Sequence, residues 1–303
     1  MMQTLAPILL LVYDRPKQTR QTLAALEKNP LAKDSLLYIV SDAPKNAQAV
    51  EAVNQVRALI REPWHFQHIN IIERQRNRGA AESLIDAVSR LIRKHGKLII
   101  LEDHLETSPH TLRYFNDALY RYQADDLAMA VSGYMYPVEQ PKMLPKSFFF
   151  RAPNGWGWAT WERAWNHFEA DIKILTSDLR RRDKQAFSLE GSEDFWKQVK
   201  AYRKGKTDSW LIRWYLSMFK RNGLVLYPRQ SLIKPLPTDP KKEMAEIDDR
   251  YQVSLATQRI KYFPQTVVEE VKAYEAIKYF YAHRRGNIVE RFARFLLKKF
   301  GKI

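Results

Sequence analysis

Residues 98–106 read Leu-Ile-Ile-Leu-Glu-Asp-His-Leu-Glu, and the fold turns on how this stretch is read. Four apolar residues in a row leave no polar face, so a strand built from Leu98–Leu101 must be covered on both sides. The run stops at two carboxylates, Glu102 and Asp103, and then His104. Upstream, the same pairing of a short apolar run with an amphipathic segment recurs. Ile8–Tyr13 precedes a predicted helix over Thr19–Glu27, Leu36–Val40 precedes one over Val50–Ile60, and Ile69–Ile72 precedes a long one over Glu82–Lys94. In the long one Leu84, Ile85, Val88, Leu91 and Ile92 recur at helical spacing. Downstream, a helix is expected over Pro109–Tyr122 and a fifth strand over Leu127–Val131. This alternation predicts an α/β fold, a mostly parallel, Rossmann-like sheet flanked by helices.

The pattern changes after Gly133. Pro137, Pro141, Pro145 and Pro153 break a loop-rich stretch that runs into Trp156, Trp158, Trp161 and Trp165. Helices are expected near Ser192–Lys204 and Trp210–Arg221, with a short strand at Leu224–Tyr227. The proline-rich, charged stretch Pro235–Arg250 reads as an exposed loop, and helices over Thr266–His283 and Asn287–Phe300 close the chain. Three parts follow: an α/β part over 1–135, a second part of the same domain over 136–235, and the loop with the C-terminal helices over 236–303.

Composition narrows the functional classes. Hydrophobic residues make up 45% of the 303, enough for a packed core. Fifty Lys and Arg against 34 Asp and Glu give a net charge of +16, a field that attracts nucleic acid, acidic lipid headgroups or diphosphates. No cysteine is present, which excludes disulfides, thiolate metal sites and thiol nucleophiles. The apolar N-terminal run is interrupted by Pro7 and closed by Asp14 and Arg15, so it reads as a buried first strand rather than a signal or membrane segment. The expected location is cytoplasmic, with peripheral attachment to the inner face of the plasma membrane as a further expectation.

In open sheets of this type, ligands lie outside the carboxyl ends of the strands. Here those ends carry Asp14-Arg15-Pro16, Ser41-Asp42 and Glu102-Asp103-His104. Acidic residues after a strand also cap following helices, so these positions nominate a site without naming its ligand.

Several segments in order are more specific. LEDHLETSPHTLRYFNDAL at 101–119, GWGWATWERAW at 155–165 and DSWLIRWYLSMFKRNGLVLYPRQSL at 208–232 resemble bacterial family-2-like glycosyltransferases related to N-acetylglucosaminyltransferase I. LLLVYDRPKQTRQTLAAL at 9–26 and SDAPKN at 41–46 match the same family, and FPQTVVEEVKAYEAI at 263–277 echoes it weakly. The resemblance runs from about Pro7 to Ser231. It implies a glycosyltransferase-A fold, an inverting mechanism, a nucleotide-sugar donor and a divalent metal, commonly Mn2+. It further implies that 1–135 binds the nucleotide-sugar and that 136–235 carries acceptor and catalytic groups. By motif position Arg15 contacts the donor phosphates and Asp42 the base, while Asn77, Arg78 and Gly79 border the donor pocket. Glu102 and Asp103 hold the ribose and metal region, and Asp208 takes the place of the general base. A glycan or lipid-linked acceptor in bacterial surface polysaccharide synthesis is implied as the partner.

Two positions depart from the family. The usual third acidic ligand is His104, a neutral nitrogen donor that offsets less of a metal's charge. After Ser231-Leu-Ile the chain continues Lys-Pro-Leu-Pro-Thr-Asp, without the family's Gly-rich segment and its His. The metal set is therefore Asp103 and His104, and Lys and Arg could neutralise the departing diphosphate instead.

Other residues keep alternatives open. Asp208 precedes an amphipathic helix, so Thr207 or Asp208 also reads as an N-cap. Trp156 and Trp158, flanked by glycines in NGWGW, are candidates to stack on sugar rings, although most tryptophans belong to the core. Asn287–Ile303 is basic and amphipathic, which suits a helix on an anionic bilayer, and docking on the protein's own core is the other reading. A non-catalytic nucleotide-sugar or glycan-binding relative with a degenerate metal motif is the rival function. Nucleic-acid binding rests on net charge alone and is disfavoured, because no nucleic-acid motif accompanies it.

Overall fold

The computed structural model describes residues 4–237 and 249–284. Its elements run β1 (Ile8–Val12), α1 (Pro16–Glu27), β2 (Leu36–Ser41), α2 (Val50–Leu59), β3 (His68–Glu73), α3 (Gly79–His95), β4 (Lys97–Glu102), β5 (Leu105–Thr107), α4 (Thr111–Arg121) and β6 (Ala128–Ser132). There follow β7 (Ser147–Phe150), β8 (Trp158–Trp161), α5 (Glu162–Trp165), α6 (Ile172–Thr176), α7 (Arg181–Phe187), α8 (Phe195–Arg203), α9 (Trp210–Phe219), β9 (Leu224–Pro228), β10 (Ile233–Pro235) and α10 (Val271–His283).

Eight strands form one sheet in the order β3-β2-β1-β4-β8-β6-β9-β7. β3, β2, β1 and β4 are mutually parallel, β8 runs antiparallel between β4 and β6, β9 is parallel to β6, and β7 returns antiparallel at the edge. The sheet is thus mixed but mostly parallel, with helices on both faces. Strand periodicity explains why the central runs are apolar throughout. Leu9, Val40 and Ile100 enter a core shared with α3 and the tryptophan cluster, while Ile8, Leu10, Ile39, Ile99 and Leu101 enter one shared with α1 and α4.

Local signals fix the helix that matters most for the site. α3 ends at Gly96, whose φ of 74° supplies the left-handed cap, and Arg93, Lys94 and His95 in its last turn complement the helix dipole. α1 opens on Pro16, whose fixed φ suits a first helical position. β5 pairs antiparallel with β10, and the Leu236 amide donates to the His104 carbonyl at 2.7 Å, so the Glu102–His104 turn is held from both sides.

The stretch read as loop after Gly133 contains two sheet strands, β7 and β8. β8 is four residues long and pairs with Lys97–Ile100, a distant partner in the chain that no local pattern announces. The last described helix starts at Val271 rather than Thr266. Glu269 is bound to Arg151 and bridges Phe149, and the Glu270 side chain caps α10 by accepting from the Lys272 amide at 3.3 Å. The predicted helix Asn287–Phe300, with its membrane reading, and most of the predicted loop Pro235–Arg250 lie outside the described residues. Among the described residues no helix is long and apolar enough to cross a membrane.

Candidate active site

The carboxyl ends of β1, β2 and β4 converge on one cavity of about 320 Å³ whose wall includes Arg15, Asp42, Lys45, Asn77, Glu102 and Asp103. Each reaches it for a local reason. Asp42, directly after β2, is buried and takes hydrogen bonds from the amides of Arg78 and Gly79 at 3.1 and 2.9 Å. Its carboxylate thereby pins the N-terminus of α3, where free amides and the helix dipole favour negative charge. Asn77 donates to the Ala43 carbonyl at 2.6 Å, which ties the turn before α3 to the turn after β2. The start of α3 consequently faces the cavity through Gly79, Ala80 and Ser83.

Asp103 anchors the opposite wall. It is 2% exposed, and its oxygens accept from the Tyr13 amide at 3.0 Å and the Arg15 guanidinium at 3.1 Å. Arg15 is therefore held at the cavity by a carboxylate beneath it. Glu102 projects between this cavity and a second. Loss of surrounding water raises its carboxyl pKa above the ordinary value of 4.5, with His104 opposing the rise, Asp103 adding to it and Arg15 opposing it. About a third of the Glu102 side chain remains exposed, enough for a ligand to reach it.

The second cavity, about 500 Å³, shares Glu102 and Trp210 with the first. Its wall carries Tyr136, Asn154, Trp156, Gln198, Tyr251 and Tyr281, and Glu193 pairs with Arg284 beside them. Trp210 stacks one face on Trp158 with ring centroids 5.3 Å apart, yet it lines both cavities.

The predicted residues divide accordingly. Arg15, Asp42, Asn77, Gly79, Glu102 and Asp103 share the first cavity, and Trp156 lines the second. Arg78 contributes only its amide, since its side chain turns outward toward Glu82 and Asp86. Trp158 is corrected to a core residue: it lies in β8, is 2% exposed, and packs against Trp165, Trp210 and Trp214. Gly157 in the same motif serves packing, because at φ +66° an added Cβ would fall 1.9 Å from Ile233.

Asp208 lines neither cavity. Its side chain is 68% exposed, bonds Arg213 at 3.1 Å and faces a separate groove along α3 with Glu82, Asp86 and Arg90. The cap of α9 is neither Thr207 nor Asp208 but Ser209, which accepts from the Ile212 amide at 3.3 Å. Lys45 and Trp210 also line the first cavity; Lys45 lies in the SDAPKN segment with no signal of its own, and only a helical pattern marks Trp210. Tyr251, Tyr281 and Arg284 reach the second cavity through tertiary packing that leaves no local motif.

The side chains at the expected metal position do not fit a carboxylate-held divalent ion. Asp103 is buried with both oxygens engaged, and the cation at its edge is Arg15. His104 Nδ1 is buried without a hydrogen-bond partner, 3.6 Å from Asp103 and 3.8 Å from Glu102, and it offers a nitrogen where hard cations prefer oxygen. Among the described residues no three His, Cys, Asp or Glu side chains are grouped to hold a metal.

No protein-family profile matches the chain, and no curated sequence does. Among solved structures the chain is similar to Staphylococcus aureus TarS residues 1–349, at 11% identity over 98% of this chain and 75% of that one, with a TM-score of 0.43. It is also similar to the Pyrobaculum calidifontis mannosyltransferase PcManGT in complex with GDP-Man and Mn2+, at 16% identity over 73% and 75%, with a TM-score of 0.37. The chain spans 19% of a longer TarS structure, at 16% identity over 39% of this chain and a TM-score of 0.28. Superpositions this loose carry no inference about activity.

Proposed function

We propose that the chain is an inverting glycosyltransferase that takes a sugar from a nucleoside-diphosphate donor and places it on a glycan or lipid-linked acceptor of a bacterial surface polysaccharide. The observation that carries this reading is the pair of cavities joined at Glu102 and Trp210. The first has what a donor needs. Arg15 and Lys45 supply positive charge for the phosphates, the start of α3 adds a helix dipole, and Asp42 offers its remaining acceptor capacity to a base. The second has aromatic walls and side-chain amides suited to a sugar ring.

Inversion requires a carboxylate to remove the acceptor proton as that oxygen attacks the anomeric carbon. Glu102 stands where the two ligands would meet, and its raised pKa makes its anion a stronger base than an exposed glutamate's. The family resemblance assigns that role to Asp208, two residues before Trp210 on an exposed turn, so both carboxylates enter the test. No step is routed through a metal, because the side chains at that position do not suit one.

A thermal-shift panel of nucleotide-sugars tests the reading, since a ligand that binds only the native state raises the melting temperature with its concentration. At least one donor should stabilise the protein, and its hydrolysis or transfer should follow in a coupled assay. A panel in which no nucleotide-sugar shifts the melting temperature removes the donor assignment. Stabilisation by a donor that is never turned over favours the non-catalytic relative.

A further inference from the structure

The second cavity has a lopsided set of charges. Among the described residues that line it the charges do not balance: Glu102 and Glu193 contribute two carboxylates, Arg284 one guanidinium. That guanidinium is committed, being paired with Glu193, donating to the Tyr281 carbonyl at 3.0 Å and lying 4.7 Å from the Tyr281 ring centroid. Both partners of the pair are about nine-tenths buried, so separating them to meet a ligand would leave charges without partners. The charge that remains is Glu102, whose carboxylate lies 3.8 Å from the His104 imidazole.

The neutral groups are arranged to receive a ring. Trp210 has one face covered by Trp158, and the residue is half-buried at the wall of both cavities. The indole N–H groups of Trp156 and Trp210 make no hydrogen bond among the described residues, nor does the amide of the exposed Gln198. Asn154 reaches the Tyr136 hydroxyl at 3.4 Å, and that hydroxyl accepts from Tyr281 at 2.7 Å. These are donors and acceptors for hydroxyls beside an aromatic platform, with no uncommitted cation among the described residues that line the cavity.

We propose that this cavity is the acceptor subsite and that it selects an uncharged pyranose ring, packed against Trp210, over sugars that carry a carboxylate or phosphate. The proposal rests on the transferase reading above and names its acceptor class. Attraction decides little here, and exclusion decides most. An anionic substituent a few ångströms from Glu102 in a partly dehydrated cavity meets a repulsion that Arg15, already paired with Asp103, offsets only in part.

Saturation-transfer NMR on the full chain, with a saturating nucleoside diphosphate chosen by thermal shift, provides the test. The probes are methyl glucoside, methyl galactoside and methyl N-acetylglucosaminide against methyl glucuronide and glucose 6-phosphate. At least one neutral pyranoside should bind about tenfold or more tightly than the anionic probes. In Glu102→Gln the anionic probes should gain and the gap should shrink to about threefold or less. The melting temperature of that variant checks that it is folded. Equal or tighter binding of the anionic sugars overturns the selection, as does a gap that Glu102→Gln leaves intact. A protein that binds nucleotide but no sugar of either class refutes the subsite and leaves the donor reading standing. A protein that binds neither removes both.

Discussion

Replacing Glu102 by Gln separates the two assignments of the catalytic base when it is set beside Asp208→Asn. Glu102 walls both cavities and keeps about a third of its side chain exposed, so the isosteric amide preserves shape and most contacts. What it removes is the ability to accept a proton, which general-base catalysis typically converts into about 10²–10⁴-fold in rate. Stability should move the other way. Burial raises the folded-state pKa of Glu102, so the stability it contributes is present at low pH and is lost as pH rises through that value. Near neutral pH the ionised carboxylate is a liability, and Glu102→Gln should melt no lower than the parent. For Asp208 the structure predicts small effects. Its side chain is 68% exposed, its pairing with Arg213 falls in the class worth about 0–1 kcal/mol, and Ser209 already caps α9. Arg213 also keeps its bond to the Ser209 carbonyl and its contact with the Tyr202 ring.

The assay is initial rate against pH for the parent and both variants, with melting temperature alongside. Parental activity should fall on the acid side at a pH above that of an ordinary glutamate, because the base must be ionised and its pKa is raised. Glu102→Gln should lose at least about a hundredfold and that acid limb with it, while Asp208→Asn stays within about threefold. The opposite pattern, with Asp208→Asn inactive and Glu102→Gln active, refutes the reasoning and returns the base to the residue that the sequence motif nominates.

Three further outcomes follow from the same geometry. Asp42→Ala removes the acceptor of the Arg78 and Gly79 amides and should cost about 1–2 kcal/mol by denaturant titration, with weakened nucleotide binding, while Asp42→Asn should recover most of both; unchanged stability in the alanine variant would mean that water replaces the cap. His104→Asp adds a third carboxylate to Glu102 and Asp103 and should create Mn2+ binding, seen as loss of the free-ion EPR signal that the parent leaves intact; quenching by the parent itself would show that the imidazole already serves as a ligand. Gly157→Ala should destabilise by about 2 kcal/mol or more, because the new Cβ would lie 1.9 Å from Ile233 at a φ of +66°; a variant that melts like the parent would show that β10 can shift.

What the sequence made legible follows the range of the interactions. The runs Ile8–Tyr13, Leu36–Val40 and Leu98–Leu101 are apolar throughout because both faces of the sheet are covered, and that condition is written into each run by itself. The residues at their carboxyl ends were legible for the same reason: a parallel strand's end faces the ligand side whatever else the chain does. Arg15, Asp42 and Asp103 meet in one cavity although they are dispersed over nearly ninety positions. β8 shows the opposite case. Trp-Ala-Thr-Trp is too short for a period, and its place between β4 and β6 depends on pairing with Lys97–Ile100 and with Val131–Ser132. Nothing within the four residues encodes that partner.

The tryptophan motif divides between cavity and core, with Trp156 at the wall and Trp158 buried. The glycines flanking Trp156 and Trp158 permit close approach, but the sequence does not say of what. At Gly157 the approaching group is Ile233 of β10, the strand that pairs with β5 just after the Glu102–His104 turn. The glycine therefore acts on the site at one remove. It lets β10 pack close to β8, β10 holds β5, and β5 fixes where Glu102 and Asp103 leave the sheet. Trp158 acts in the same indirect way, presenting Trp210 to the cavities by stacking behind it. A motif that is rich in ligand-like residues can thus be necessary to a site while touching no ligand. The physical sign of that role is burial, which 2% exposure of Trp158 supplies and which no spacing rule could have given.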